Sequence, residues 1–492
     1  MTIVVETRVG AVRGAVRDGI ATWRGIPYAR APRFRPPEPI AWTGERDATA
    51  FGPVALQSRD PRTAMMSGMT DKIAMAEECL ALNIYSPAVP PPSGSPAADG
   101  KRRPVVVWIH GGAFVMGSGS QPLYNGTSFA KHHDLVVVTL NYRLGVFGLL
   151  YLGDRLGEDY AAGNVALLDQ LAALRWVRDH IAAFGGDPDA ITVMGESAGS
   201  VSIAHLMAMP ASRGLFHRAI LQSGASGLAP PTRVDANMLT DAYCAELGAT
   251  PRQLLELSPE QLIAGQDRIG RRLGLGAFFP YVDGVTLPRL PIDAVRAGDG
   301  AVVPTLLGSN RDEWALFDLF VPGSTETVIA QMRKQLGPAL DRLHGEYLAA
   351  RSDGNAAGAW LELVGEVAFR IPMIRLAEAL APRAPVWMYR FDWASTAFGG
   401  KLGAAHALEL PFVWNVVDSQ FGQILLGGDA GAQPLATAMQ TAWAAFIKGG
   451  APAADGLPTW PVYELPRRAT LRIDRASEIV DDPAGAQRAL WP

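Results

Sequence analysis

Cysteine is scarce. Cys79 and Cys244 are the only two in 492 residues, too few to staple a chain that is long enough to build a large core without disulfides. This excludes a disulfide scaffold and points to a reducing, cytoplasmic setting. Charge of one sign is also lacking: 44 Lys and Arg face 48 Asp and Glu, for a formal net charge of -4. No Lys/Arg run is long enough to track phosphates, so no nucleic-acid partner is expected. No stretch of about 18 uncharged apolar residues occurs, which removes a membrane span. Met1 to Arg8 alternates apolar and polar side chains like a half-buried strand and has no signal-peptide-like apolar run, so the fold is expected to start at once.

What is present is ordinary globular material, 48% hydrophobic and 19% charged. Apolar, β-branched runs recur at 105–109, 135–140, 191–194, 219–222, 302–307, 386–391 and 470–473, with helical patterns between them. That alternation predicts an α/β fold with a mostly parallel twisted sheet covered by helices on both faces. The stretch from Asn164 to Ala183 shows helical spacing and stops at Gly185-Gly186-Asp187-Pro188. Only Ala88 to Arg103 is loop-like in composition, and it reads as a hairpin connection. One domain over 1–492 is expected, with helical insertions near 232–270 and 325–380 roofing a pocket. No internal repeat is present.

The chemistry begins at Gly195-Glu196-Ser197-Ala198-Gly199, a G-x-S-x-G directly after a predicted strand and before the helix-like Val201 to Met209. A sharp strand-to-helix turn needs small residues around the serine and pushes its hydroxyl out above the sheet. Without that context the motif is only a Gly/Ser loop. A serine hydroxyl is a weak nucleophile and needs a base, normally histidine, held by a carboxylate. In this fold class the order is nucleophile, acid, histidine, which leaves His205, His217, His344 and His406. His205 lies on the helix that the serine starts, His217 just before a strand, and His344 on a patterned helix. His406 follows a glycine-rich loop beyond the 386–391 strand, where a catalytic loop belongs. The acid should follow the 302–307 strand, where Asp312 and Glu313 stand side by side; composition does not choose between them. His110-Gly111-Gly112-Ala113-Phe114, after the 105–109 strand, offers backbone N–H groups for an oxyanion, with the amide of Ala198 as another.

In these motifs the sequence resembles the type-B carboxylesterase family, the carboxylesterase and cholinesterase group of the α/β-hydrolase fold, and its bacterial para-nitrobenzyl-esterase-like branch. The likeness spans nearly the whole chain. It runs through Trp23-Arg24-Gly25-Ile26-Pro27-Tyr28-Ala29, Glu77 to Asn83, Asn141-Tyr142-Arg143-Leu144-Gly145-Val146-Phe147-Gly148, Asn164 to Gln170, Phe184 to Pro188 and the serine motif. The resemblance implies Glu313 as the acid, His406 as the base, and Gly112, Ala113 and Ala198 as oxyanion donors. It also implies supporting roles for Glu196 and Ser223 and an acyl-pocket region at Phe278 and Phe279, and Phe114 is a further candidate pocket residue. Two departures are informative. Relatives pair the cysteine at position 79 with one that would lie near Ala55, so Cys79 is expected to be a free, buried thiol. Ser58 to Glu78 contains no aromatic residue, whereas cholinesterases hold quaternary ammonium there by cation–π attraction. Choline esters are therefore poor candidates, and Met65, Met66, Met69 and Met75 are candidate gorge-lining groups instead.

The reading is a serine carboxylesterase that cleaves apolar or aryl esters through an acyl-enzyme. No metal or organic cofactor is required, the only partner is a small-molecule ester, and the protein is a monomer or small homo-oligomer. A carbamate or amide hydrolase on the same triad and a non-catalytic cholinesterase-like binding protein are the alternatives.

Overall fold

The structure is a computed structural model that describes residues 1–60, 73–87, 100–225, 231–274, 276–429 and 431–491. Its sheet follows one path of twelve strands. The first six are β1 (Thr2–Thr7), β2 (Gly10–Arg17), β3 (Ile20–Pro27), β4 (Ala81–Ser86), β5 (Arg103–Ile109) and β6 (Val136–Leu140). Then come β7 (Gly186–Glu196), β8 (Arg218–Gln222), β9 (Thr305–Asn310), β10 (Val386–Phe391), β11 (Ala469–Ile473) and β12 (Glu478–Asp481). The spatial order is β1-β2-β3-β4-β6-β5-β7-β8-β9-β10-β11-β12, and the short strand Glu45–Asp47 pairs with β2. From β6 to β11 every pairing is parallel; the flanking pairs are antiparallel.

The central strands carry near-continuous apolar runs, such as Val105–Ile109 and Val136–Val138, because both of their faces are covered. In β5, Val105, Val107 and Ile109 join one core, while Val106 and Trp108 join the other across the sheet. One core is roofed by helices such as Val165–His180 and α1 (Ala198–Ala208), the other by Ala432–Ile447. The expected hairpin between the runs at 82–85 and 105–109 is not formed. β6 lies between β4 and β5, antiparallel to the first and parallel to the second. The length of a connection does not reveal that a later valine-rich strand will take the central place between its two ends.

Arg143, in the loop after β6, forms a buried pair with Asp169 at 2.6 Å and donates to the carbonyls of Pro32 and Arg35. This ties that loop to the helix Val165–His180. Cys79 and Cys244 are both free, and Cys79 is buried. Met65, Met66 and Met69 lie outside the described residues; Met75 sits in the short strand Met75–Ala76, paired with Val54–Ala55. Among the described residues no helix is long and apolar enough to cross a membrane.

Candidate active site

β7 carries its last residue, Glu196, to the carboxyl edge of the sheet, and Ser197 turns the chain into α1 with φ 55° and ψ -124°. Such angles cost a non-glycine residue about 1–3 kcal/mol and persist only where the surroundings enforce them. The enforcement is visible. The Ser197 N–H donates to the Gln222 carbonyl at the end of β8, while a Cβ on Gly199 would meet the Ile109 carbonyl oxygen at 2.0 Å and one on Gly195 would meet the Gly199 carbonyl carbon at 2.7 Å. Ser197 stands at the N-cap of α1 without making a side-chain cap. Its hydroxyl is not spent on the helix, as a serine at that position usually is.

The loop after β5 faces this turn. Gly112, Ala113 and Phe114 all have positive φ, at 109°, 52° and 60°, which turns successive peptide groups toward the same side. The carbonyls are held from behind: Gly112 O accepts from Val115 and Met116, and Phe114 O from Gly145. A Cβ at Gly112 would strike the Met116 oxygen at 2.1 Å, and one at Gly111 would reach Glu196 at 2.8 Å. The N–H groups of Gly112, Ala113 and Ala198 donate to no protein acceptor among the described residues. His110 supports the loop. Burial lowers its pKa to about 4, so it is neutral; Nδ1–H donates to Gly111 O at 2.8 Å while the ring stacks on Tyr142.

Glu313 and His406 come from the loops after β9 and β10. His406 Nδ1–H donates to Glu313 Oε2 at 2.6 Å, and Glu313 Oε1 accepts the Asn310 N–H at 2.7 Å. Both side chains are buried. Asp312 does something else: it pairs with Arg311 and accepts the Ala404 N–H at 2.8 Å, fastening the loop that carries His406. His406 Nε2 lies 3.0 Å from Glu196 Oε1, at angles that make no hydrogen bond, and has no hydrogen-bond partner among the described residues. Burial opposes a charged imidazole, but the carboxylates of Glu196 and Glu313 outweigh it and raise the His406 pKa well above its ordinary value. The ring is clamped by Phe317 and by Phe369, with centroids at 5.1 and 4.5 Å. Phe369 belongs to a π-turn, Glu366–Arg370, interrupting the helical stretch expected as a roof.

A third carboxylate belongs to this cluster and was not assigned from the sequence. Glu409 is fully buried and accepts from the Gln222 amide at 2.9 Å and the Asn310 amide at 2.7 Å. Burial, then the charges of Glu196 and Glu313, push its pKa up to about 7. Its one signal in the sequence is position, three residues after His406. Ser223 follows Gln222 with φ 50° and has a buried hydroxyl with no hydrogen-bond partner among the described residues.

Ser197, His406, Glu196, Gly112 and Ala113 line one cavity of about 140 Å³, with Tyr124, Leu316, Phe317, Leu410 and Phe421 among its apolar walls. A larger cavity of about 540 Å³ takes residues from both expected insertions, Gln266 and Asp267 from one, Val328 and Gln331 from the other. Of the three candidate pocket aromatics, Phe278 lines this larger cavity. Phe114 and Phe279 pack edge to face at 5.4 Å and line neither. His205 donates to or accepts from nothing in either cavity; its Nδ1 lies 2.7 Å from the Val201 carbonyl within α1. Among the described residues no three His, Cys, Asp or Glu side chains gather as metal ligands.

Residues 1–491 match the model of the carboxylesterase family. A para-nitrobenzyl esterase of Bacillus subtilis is 39% identical over 505 aligned positions, covering 99% of this chain and 98% of that protein. A phenmedipham hydrolase of Pseudarthrobacter oxydans is 36% identical, covering 98% of this chain and 97% of that protein. Among solved structures, a carboxylesterase of Geobacillus stearothermophilus superposes with a TM-score of 0.88 at 42% identity, over 99% of this chain and 100% of the other. That fold is the α/β-hydrolase fold.

Proposed function

The chain belongs to the carboxylesterase family and hydrolyses carboxylic esters, and from that premise we propose that Ser197, His406 and Glu313 act as nucleophile, general base and orienting acid. The observation that carries this reading is the 2.6 Å bond from His406 Nδ1 to Glu313, made by a histidine that lines the same cavity as Ser197. In the neutral imidazole that bond fixes the tautomer, leaving the Nε2 lone pair for the serine proton; because the neighbouring carboxylates raise the His406 pKa, this neutral form is reached only toward higher pH. As Oγ attacks the ester carbonyl, the proton passes to Nε2, and the new imidazolium sits among carboxylates that favour its charge. The oxyanion faces the amides of Gly112, Ala113 and Ala198, each worth about 3 kcal/mol in such a site. The C–O bond to the alcohol then breaks, the alcohol departs with the proton from Nε2, and an acyl-serine remains. Water, deprotonated by the same nitrogen, releases the acid and restores the hydroxyl.

Apolar or aryl esters fit the cavity walls formed by Tyr124, Leu316, Phe317, Leu410 and Phe421. The similarity to a para-nitrobenzyl esterase supports the aryl side of that preference. We read the protein as a bacterial, cytoplasmic enzyme, a monomer or small homo-oligomer. Two free thiols and 38 arginines against six lysines, the latter in keeping with a GC-rich genome, support the setting. The test is covalent labelling with an aryl phosphonate followed by peptide mass spectrometry. One equivalent on the Ser197 peptide, and none in Ser197→Ala, is expected. Ester turnover persisting in Ser197→Ala would overturn the assignment.

A further inference from the structure

The 140 Å³ and 540 Å³ cavities share one lining residue among those described. Among the described residues, Met116 alone lines both. The rest of the partition is α2 (Ala315–Phe320), the short helix after Glu313. It presents Leu316 and Phe317 to the smaller cavity and Phe320 to the larger, and Trp314 just before it also faces the larger. The aromatic part of this wall is stiff: Phe317 packs on Trp314 at 4.8 Å and on His406 at 5.1 Å. Met116 is not. Its backbone is pinned, with the N–H donated to Gly112 O and its own carbonyl pressed against Gly112. Its side chain is unbranched, with three rotatable bonds and a polarizable sulfur, the type that re-packs at least cost.

The smaller cavity does not by itself reach the ~300–1,000 Å³ usual for drug-sized ligands, yet it contains both Ser197 and His406. Reaction geometry decides which half of an ester stays there. The departing alcohol must take its proton from His406 Nε2, so it stays beside His406. With the carbonyl oxygen against the Gly112 and Ala113 amides, the acyl group is directed away from the imidazole, along the loop that carries Met116. Beyond Met116 the larger chamber has an apolar floor at Val115, Phe278 and Trp314 and exposed polar residues, Arg271 and Gln331, among its other walls.

We infer that Met116 is a specificity-determining residue: its side chain is the threshold between the two chambers, and long or bulky apolar acyl groups are admitted when it swings aside and lets them enter the larger one. This rests on the reading of Ser197 and His406 given above. The experiment measures kcat/KM for para-nitrophenyl acetate, butanoate, octanoate and dodecanoate in the parent chain, Met116→Ala and Met116→Phe, each corrected for the active fraction by phosphonate titration. Removing the threshold should raise the octanoate-to-acetate ratio about tenfold, and a stiff ring should lower it by a similar factor, the size expected for a few methylenes gaining or losing an apolar wall. A structure of the octylphosphonate adduct should show the alkyl chain past Met116 against Phe278. Ratios within twofold of the parent in both variants, or an alkyl chain lying among Tyr124, Leu410 and Phe421, would overturn the inference while leaving the esterase reading intact. Failure of the parent chain to be phosphonylated would instead remove the esterase reading, and the inference with it.

Discussion

Around Ser197 the chain has almost no steric freedom, whereas around His406 it is crowded with charge. A Cβ on Gly199 would lie 2.0 Å from the Ile109 oxygen, and one on Gly111 would lie 2.8 Å from Glu196. Three successive positive φ angles shape the facing loop. That half of the site is made by backbones approaching more closely than side chains allow. The other half brings Glu196 and Glu313, 117 residues apart in the chain, against a single imidazole, with Glu409 buried close enough to feel both carboxylates. Close backbone approach is fragile to added atoms, and a charge cluster is fragile to lost or misplaced protons, so the two halves should break in different ways.

The largest effect is expected in the charged half. Glu313→Gln keeps the shape but places a donor where His406 Nδ1–H needs an acceptor, and kcat should fall by about 10⁴-fold. Asp312→Asn, next door, should cost less than about tenfold, because the half-exposed Asp312 only fastens a loop. Steady-state kinetics on para-nitrophenyl acetate compares the two. Equal losses would erase the distinction drawn between these carboxylates.

In the steric half, Gly199→Ala should lower stability by about 1–3 kcal/mol or more, since the methyl group has no space and the strand-end carbonyl cannot yield. Thermal melting reads this directly. A melting temperature equal to the parent's would show that the strand ends are looser than the contact distances imply.

Two smaller effects sharpen the electrostatics. Glu196 is the foremost of the charges that raise the His406 pKa. In Glu196→Gln the imidazole holds its proton less tightly, so the neutral base needed for attack appears at lower pH. The acid limb of kcat/KM should therefore move to lower pH; an unmoved limb contradicts the cluster. For Glu409 the folded-state pKa of about 7 stands above the ordinary 4.5. The folded protein thus binds more protons than the unfolded chain between those values, and stability falls as pH rises through the window. Glu409→Gln removes that slope. The difference in melting temperature, variant minus parent, should become more positive from pH 5 to pH 8, and a flat difference would mean Glu409 titrates normally.

The two halves also differed in how far they could be read from the chain. Steric necessity writes itself locally: Gly195 and Gly199 flank Ser197, Gly111-Gly112 follows a strand, and both were readable from spacing alone. The parallel sheet was readable for a similar reason, because strands buried on both faces carry runs of consecutive apolar residues rather than alternation. The acid was not. Asp312 and Glu313 are adjacent and chemically alike, and only resemblance to a family separated them; the structure gives the physical difference, one carboxylate half-exposed on Arg311 and the other buried on His406. Glu409 escaped because a buried carboxylate leaves no local mark, and its partners Gln222 and Asn310 lie 187 and 99 residues away. The position of β6 between β4 and β5, and the role of Met116 between two cavities, are properties of packing between distant segments that no window of sequence contains.

The most direct measurement is a structure of the enzyme after reaction with a small methylphosphonate. The account predicts phosphorus bonded to Ser197 Oγ, a phosphoryl oxygen about 2.7–3.1 Å from the amides of Gly112, Ala113 and Ala198, and His406 still bonded through Nδ1 to Glu313. A phosphoryl oxygen turned away from those amides, or an imidazole parted from Glu313, would contradict it.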